Sequence, residues 1–175
     1  MNHILFVERI NEIKPDKEHL LSLGFSNSLS ELFVKKFSIY PRKIQTSYNN
    51  ELLALINNFD MASFDIMGIE FDPKLTVKEK FLKFGRYDFG DLQFSRENYE
   101  IVLGDASDSC KIIMRVAKDG NTFLNSLFSL ASYTIKNVTK DPEANKIDKS
   151  EFAALLATEA GGEEYVRFYK YVLGI

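Results

Sequence analysis

The sequence is short of the residues that carry most protein chemistry. Among its 175 residues are one cysteine, two histidines and no tryptophan. A lone thiol, Cys110, closes no internal disulfide, which excludes a disulfide-built secreted scaffold and a thiolate zinc site. His3 and His19 stand far apart in the chain and show no helical pairing, so a histidine metal site is not expected either. Long apolar runs are missing as well. The run at residues 4–7 falls short of the roughly 7–15 apolar residues of a signal peptide and the roughly 20 of a membrane helix. These absences lead to the expectation of a soluble protein in the reducing cytoplasm. Excess positive charge is missing too: 22 Lys and Arg face 25 Asp and Glu, a net charge of −3. A protein that grips a nucleic-acid backbone usually carries a basic surface, so direct nucleic-acid binding is not expected.

What the chain has in quantity is phenylalanine. It holds 15 Phe and 8 Tyr, and its hydrophobic share is 45%. Such a chain can bury a large core without metal or disulfide, and its length fits one domain over residues 1–175. The negative charge is local. Residues 86–108 carry six acids (Asp88, Asp91, Glu97, Glu100, Asp105 and Asp108) against two bases, whereas residues 1–87 are close to neutral. An acidic stretch of this kind either faces water or faces a basic partner.

The local patterns predict helices at both ends and strands between them. Pro15, early acids and Gly24 frame a helix at about 15–23. Residues 49–59 suit either a helix or a buried strand. Strands are expected at 64–71, closed by Asp72-Pro73, and then at 92–94, 99–103 and 111–117. The last two form an antiparallel hairpin. Asp119-Gly120 signals another reversal, and Asn125 or Ser126 can cap a following helix. Asp148 stands three residues before Glu151, a capping-box spacing that opens a helix carrying Phe152, Leu155 and Leu156. Gly161-Gly162 ends it, and Glu163-Glu164 opens a last helix with Tyr165, Phe168, Tyr169 and Val172 on its apolar side. Residues 148–175 are thus a helical pair packed on the domain. The element order, without strand–helix alternation, indicates an α+β protein with a mostly antiparallel sheet flanked by helices.

Motifs for catalysis or ligand binding are incomplete. Cys110 has no histidine near it in sequence and begins an apolar strand, the setting of an inert buried thiol. Asp105-x-Ser107-x-Ser109 resembles the metal loop of von Willebrand A-type domains. It leads into a strand rather than a helix, so it is taken as a polar hairpin loop. The stretch 141–152 imitates a calcium loop, but Lys146 replaces the turn glycine and Phe152 replaces the bidentate glutamate. Phe84-Gly-Arg-Tyr-Asp-Phe-Gly-Asp91 matches no phosphate-binding fingerprint and is taken as turn chemistry with aromatic core residues. No cofactor and no metal are expected.

Several pieces in order resemble one family. They are the helix ending in Leu23-Gly24-Phe25, the strand ending in Leu103-Gly104-Asp105, the strand at 111–116 with the turn Asp119-Gly120-Asn121, and Phe123-Leu-Asn125-Ser126 opening an apolar helix. Together they resemble the SUKH superfamily of bacterial immunity proteins and cell-wall-synthesis-regulator relatives. Ser26 stands where the family often has proline, and residues 106–109 replace a loop that usually holds glycine. The resemblance implies a SUKH-like fold. It also implies a noncatalytic protein that binds and neutralises a toxin, often a nuclease or deaminase, inside the producing cell.

The expected contact face consists of Asp88, Asp91, Asp105 and Asp108, which complement a basic partner. Tyr87 fits either an exposed anchor within that face or a core ring. Two other classes stay open at this point. One is a small hydrolase or transferase with a carboxylate pair, and the other is a regulatory scaffold. The first would need two acids converging in a pocket with one raised pKa.

Overall fold

The computed structural model describes residues 1–108, 111–141 and 146–175. Short helices open the chain: α1 His3–Ile13, α2 Lys17–Ser22, α3 Asn27–Lys36 and α4 Glu51–Asn58. Each begins on a side chain, Asn2, Asp16, Ser26 or Asn50, that accepts a hydrogen bond from a first-turn N–H. Those caps serve amides that have no carbonyl partner within the helix. Strands β1 Tyr40–Pro41 and β2 Phe59–Asp60 pair antiparallel beside α4.

Six strands then follow one another and pair in chain order, every neighbour antiparallel. They are β3 Asp65–Ile66, β4 Ile69–Lys78, β5 Phe81–Tyr87, β6 Gly90–Ser95, β7 Ile101–Asp105 and β8 Ile112–Ala117. The chain closes with α5 Gly120–Val138, α6 Lys149–Ala160, a 3-10 turn at Glu163–Tyr165 and α7 Val166–Leu173. This is the α+β architecture expected from the sequence, with helices against an antiparallel sheet and a helical pair at the C-terminal end.

Pleating divides the sheet into two faces, because partners across strands share a face. Phe71, Gly85, Leu92, Leu103 and Met114 form one row across β4 to β8, on the side of the hydrophobic core. The adjacent row, Glu70, Arg86, Asp91, Gly104 and Ile112, lies on the outer face. The core accounts for much of the phenylalanine. Rings of Phe6, Phe64, Phe71, Phe84 and Phe123 touch in sequence, with centroids 6.0, 5.9, 5.8 and 5.8 Å apart. This chain of tilted and edge-on contacts runs from α1 across the sheet to α5. Each contact adds roughly 0.5–1.5 kcal/mol beyond burial.

Three local expectations are corrected. The expected single strand at 64–71 is a hairpin. Met67 and Gly68 both take positive φ (51° and 86°), and the Gly68 N–H binds the Asp65 carboxylate at 2.9 Å. β4 then continues through Asp72-Pro73 with a register shift between Phe71 and Thr76. Proline is tolerated there because β3 pairs only Ile69 and Glu70, so the ladder on that side has already ended.

The expected turn at 84–91 is instead the end of β5 and the start of β6, and only Asp88 and Phe89 form the turn between the paired Tyr87 and Gly90. Asp119-Gly120 forms no tight turn between strands. Asp119 caps α5, accepting from Thr122 N–H at 2.9 Å, while Thr122 Oγ1 accepts from Asp119 N–H at 3.0 Å. α5 therefore starts five residues before Asn125. Cys110 and Ser109 lie outside the described residues, as do 142–145 of the imitation calcium loop.

The C-terminal helices lie where the sequence places them, but Leu155, expected on the apolar face of α6 with Phe152 and Leu156, is 51% exposed. Asp148 accepts from Glu151 N–H at 2.9 Å, and Gly161 ends α6 with φ 115°. Tyr165, Phe168, Tyr169 and Val172 are buried. Residues 49–59 resolve to helix α4 followed by β2.

Candidate protein-binding face

The acids of 86–108 do not form one face, because successive hairpins send them to different places. Glu97 and Glu100 lie at the β6–β7 turn, where Glu97 pairs with Lys80 at 3.4 Å and Glu100 pairs with Arg115. Asp88 lies at the other end, in the β5–β6 turn. Asp105 is there too, since its strand position pairs with Gly90, and Asp108 follows it in the next loop.

Asp91 is only 4% exposed. On the outer face it accepts from Lys78 at 2.5 Å and from Lys83 at 2.9 Å, and Lys83 also reaches Asp72 at 3.4 Å. Burial raises the Asp91 pKa, but the two ammonium groups outweigh it and hold the carboxyl below its ordinary value. Burial likewise pushes Lys83 down, and Asp91 and Asp72 reverse the effect. Asp91 is therefore an internal ion-pair group and presents no charge to a partner. The Asp72–Asp91 pair has Lys83 between its carboxylates and a lowered Asp91. A carboxylate pair working as general acid and base needs the opposite, one raised pKa.

Tyr87 is 9% exposed and is a core ring. It packs edge-on to Phe168 and Tyr171 of α7, with centroids at 5.4 and 5.6 Å. Burial is the first cause of its raised pKa. The aromatic that projects is its neighbour two residues on. Phe89, in the two-residue turn, is 70% exposed. Asp88 takes a φ of 53° in that turn, and its carboxylate accepts from the Tyr171 hydroxyl at 2.6 Å, which ties the turn to α7 and raises the Tyr171 pKa.

Asp105 is held by its own loop. Ser107 donates through Oγ at 2.6 Å and through N–H at 2.9 Å, and Lys111 reaches it at 3.3 Å. These donors, the serine first, lower its pKa to about 2. Asp105 therefore stays charged in any ordinary medium. Its hydroxyl contacts form a compact polar turn, and among the described residues no group of three or more His, Cys, Asp or Glu is placed to hold a metal ion.

Beside the turn runs an open groove of about 590 Å³. Phe89 and Met114 form its sheet side, Val166, Arg167, Lys170 and Tyr171 of α7 form the other, and Ile175 stands at its end. Of the five positions expected from sequence, the structure brings Asp88, Asp105 and Asp108 to one end of the sheet and removes Asp91 and Tyr87 from the surface. Phe89 was legible in principle: a two-residue hairpin turn turns its side chains away from both strands. The groove was not, because β8 and α7 are distant in sequence. No helix among the described residues is long and apolar enough to cross a membrane. No protein-family model, curated protein or solved structure matches the chain.

Proposed function

We propose that the protein is a noncatalytic binding protein of the SUKH kind, which neutralises a toxin in the cytoplasm of the cell that makes it. The observation that carries this reading is the setting of Phe89. A large aromatic side chain, 70% exposed, stands on a short turn beside Asp88 and close to Asp105, with an apolar groove at its flank. Exposed aromatics rimmed by charge are the usual anchors of protein interfaces. The acids at this end suit a basic surface such as the substrate groove of a nuclease, where complementary charge speeds association and excludes wrong partners.

The test uses the polypeptide encoded beside the gene, titrated calorimetrically with the full chain at low and high salt. A Phe89→Ala variant is expected to lose about tenfold in affinity. A variant with Asp88, Asp105 and Asp108 all changed to Ser is expected to bind more weakly and with less salt dependence. Unchanged affinity in both variants overturns the face. Failure of the unaltered chain to bind overturns the function.

A further inference from the structure

The groove beside Phe89 has walls of unlike charge. On the sheet side, Asp88 adjoins Phe89, and Asp105 lies one row from Met114 on the same face. On the helix side stand Arg167 and Lys170, one turn apart on α7 and both exposed. The acids are engaged: Asp88 with the Tyr171 hydroxyl, and Asp105 with Ser107 and Lys111. Arg167 and Lys170 make no ion pair and no side-chain hydrogen bond among the described residues. The other exposed bases near this end differ in this respect. Arg86 holds Glu70 at 2.5 Å and Lys111 holds Asp105. Between the walls the floor is apolar, formed by Met114, Val166 and the ring of Tyr171.

We propose that this groove is the seat for a polypeptide segment of a partner that presents an apolar side chain with a carboxylate beside it. The apolar group fills the space between Phe89, Met114 and Val166, and the carboxylate pairs with Arg167 and Lys170. A basic segment is disfavoured at the helix wall by those same cations. The acids at the turn repel the carboxylate from the sheet wall, so the two walls together fix the direction in which the segment lies. The groove volume is within the range of roughly 300–1,000 Å³ typical of sites that enclose a specific ligand. The inference rests on the reading of this end of the sheet as a protein-binding face. It adds to that reading a second contact of opposite sign, so that the partner carries bases for the turn and an acid for α7.

The experiment selects short random peptides displayed on phage against the immobilised full chain. The recovered sequences are then measured as synthetic peptides by fluorescence anisotropy. Peptides combining aromatic or aliphatic residues with Asp or Glu are expected. Each should lose about tenfold or more in affinity on an Arg167→Glu, Lys170→Glu variant, and also on a Met114→Glu variant, whose circular dichroism spectra match the unaltered chain. Phe89→Ala tests the aromatic wall of the groove by the same assay. Enrichment of basic peptides without acidic ones, unchanged affinity on the double variant, or no enrichment over an uncoated surface overturns the proposal. So does a dimer in solution that Phe89→Ala dissociates, because a second copy then occupies the groove. Acidic peptides that bind while the polypeptide encoded beside the gene does not would leave the groove standing and refute the toxin reading alone.

Discussion

Asp91 and Gln93 stand two residues apart on the outer face of β6, both buried, and their polar atoms are in opposite conditions. Asp91 is saturated by Lys78 and Lys83. Gln93 is 0% exposed, and neither its Oε1 nor its Nε2 has a hydrogen-bond partner among the described residues. Its amide lies over Gly104, where a side chain would meet it at 2.8 Å. Replacing Asp91 by Ser strands Lys78 and leaves Lys83 to Asp72 alone, and is expected to cost about 2–3 kcal/mol in urea unfolding. That is below the roughly 3–5 kcal/mol of a fully buried pair, because both lysines reach water. Replacing Gln93 by Met removes an unsatisfied amide and is expected to raise the unfolding midpoint, by about 1–2 kcal/mol in free energy. A fall instead would show that the amide is satisfied in solution. At this scale the sequence displays the charges but not their surroundings. Asp88 and Asp91 look alike in the chain, and only strand register shows that one meets solvent and the other meets two lysines.

At the scale of elements, capping chemistry was legible and strand boundaries were less so. Asp148 and Gly161 fix both ends of α6 through local hydrogen bonds and φ, which depend on nearby residues alone. Asp119-Gly120 is ambiguous in sequence because the same dipeptide serves a hairpin and a helix start. The deciding contact is tertiary. A β-carbon on Gly120 would lie 2.8 Å from Leu52 Cβ and 3.0 Å from Leu52 N, so α4 and α5 approach closely at that point. Gly120→Ala is therefore expected to destabilise by about 1–3 kcal/mol in chemical unfolding, even though alanine is the better helix former by about 1 kcal/mol. The interrupted strand at 64–71 has a similar lesson. Met67-Gly68 is an unremarkable pair within an apolar run, and its turn is fixed by Asp65 and by pairing with β4. The groove joins β8 and α7, which only the folded chain brings together.

For the whole molecule, the net charge of −3 conceals pairs that largely cancel. Among the described residues, the carboxylate whose pKa departs upward is Glu159, on α6 facing α5. Its Oε1 accepts from Ser129 at 2.9 Å, and its buried Oε2 has no partner among the described residues. Burial raises its pKa, and the Ser129 hydrogen bond offsets only part of the rise. The folded state thus holds this proton more tightly than the unfolded one. Its contribution to stability is complete below the ordinary glutamate value and is lost as pH rises through the raised folded value. Glu159→Gln is expected to raise the Tm at neutral pH by a few degrees at most, since the residue is only half-buried, and to leave it unchanged in acid. A scan of Tm against pH by calorimetry checks both halves.

The fold class was legible at this scale because strands cluster in the middle of the chain and helices at its ends. The order of strands has a further consequence for how the protein is made. Since β3 to β8 pair strictly with their predecessors, each strand leaving a ribosome meets a partner that is already formed. At any stage of synthesis the advancing edge is the newest strand alone; on the opposite edge β4 is unpaired beyond Glu70, where Pro73 removes one of its donors.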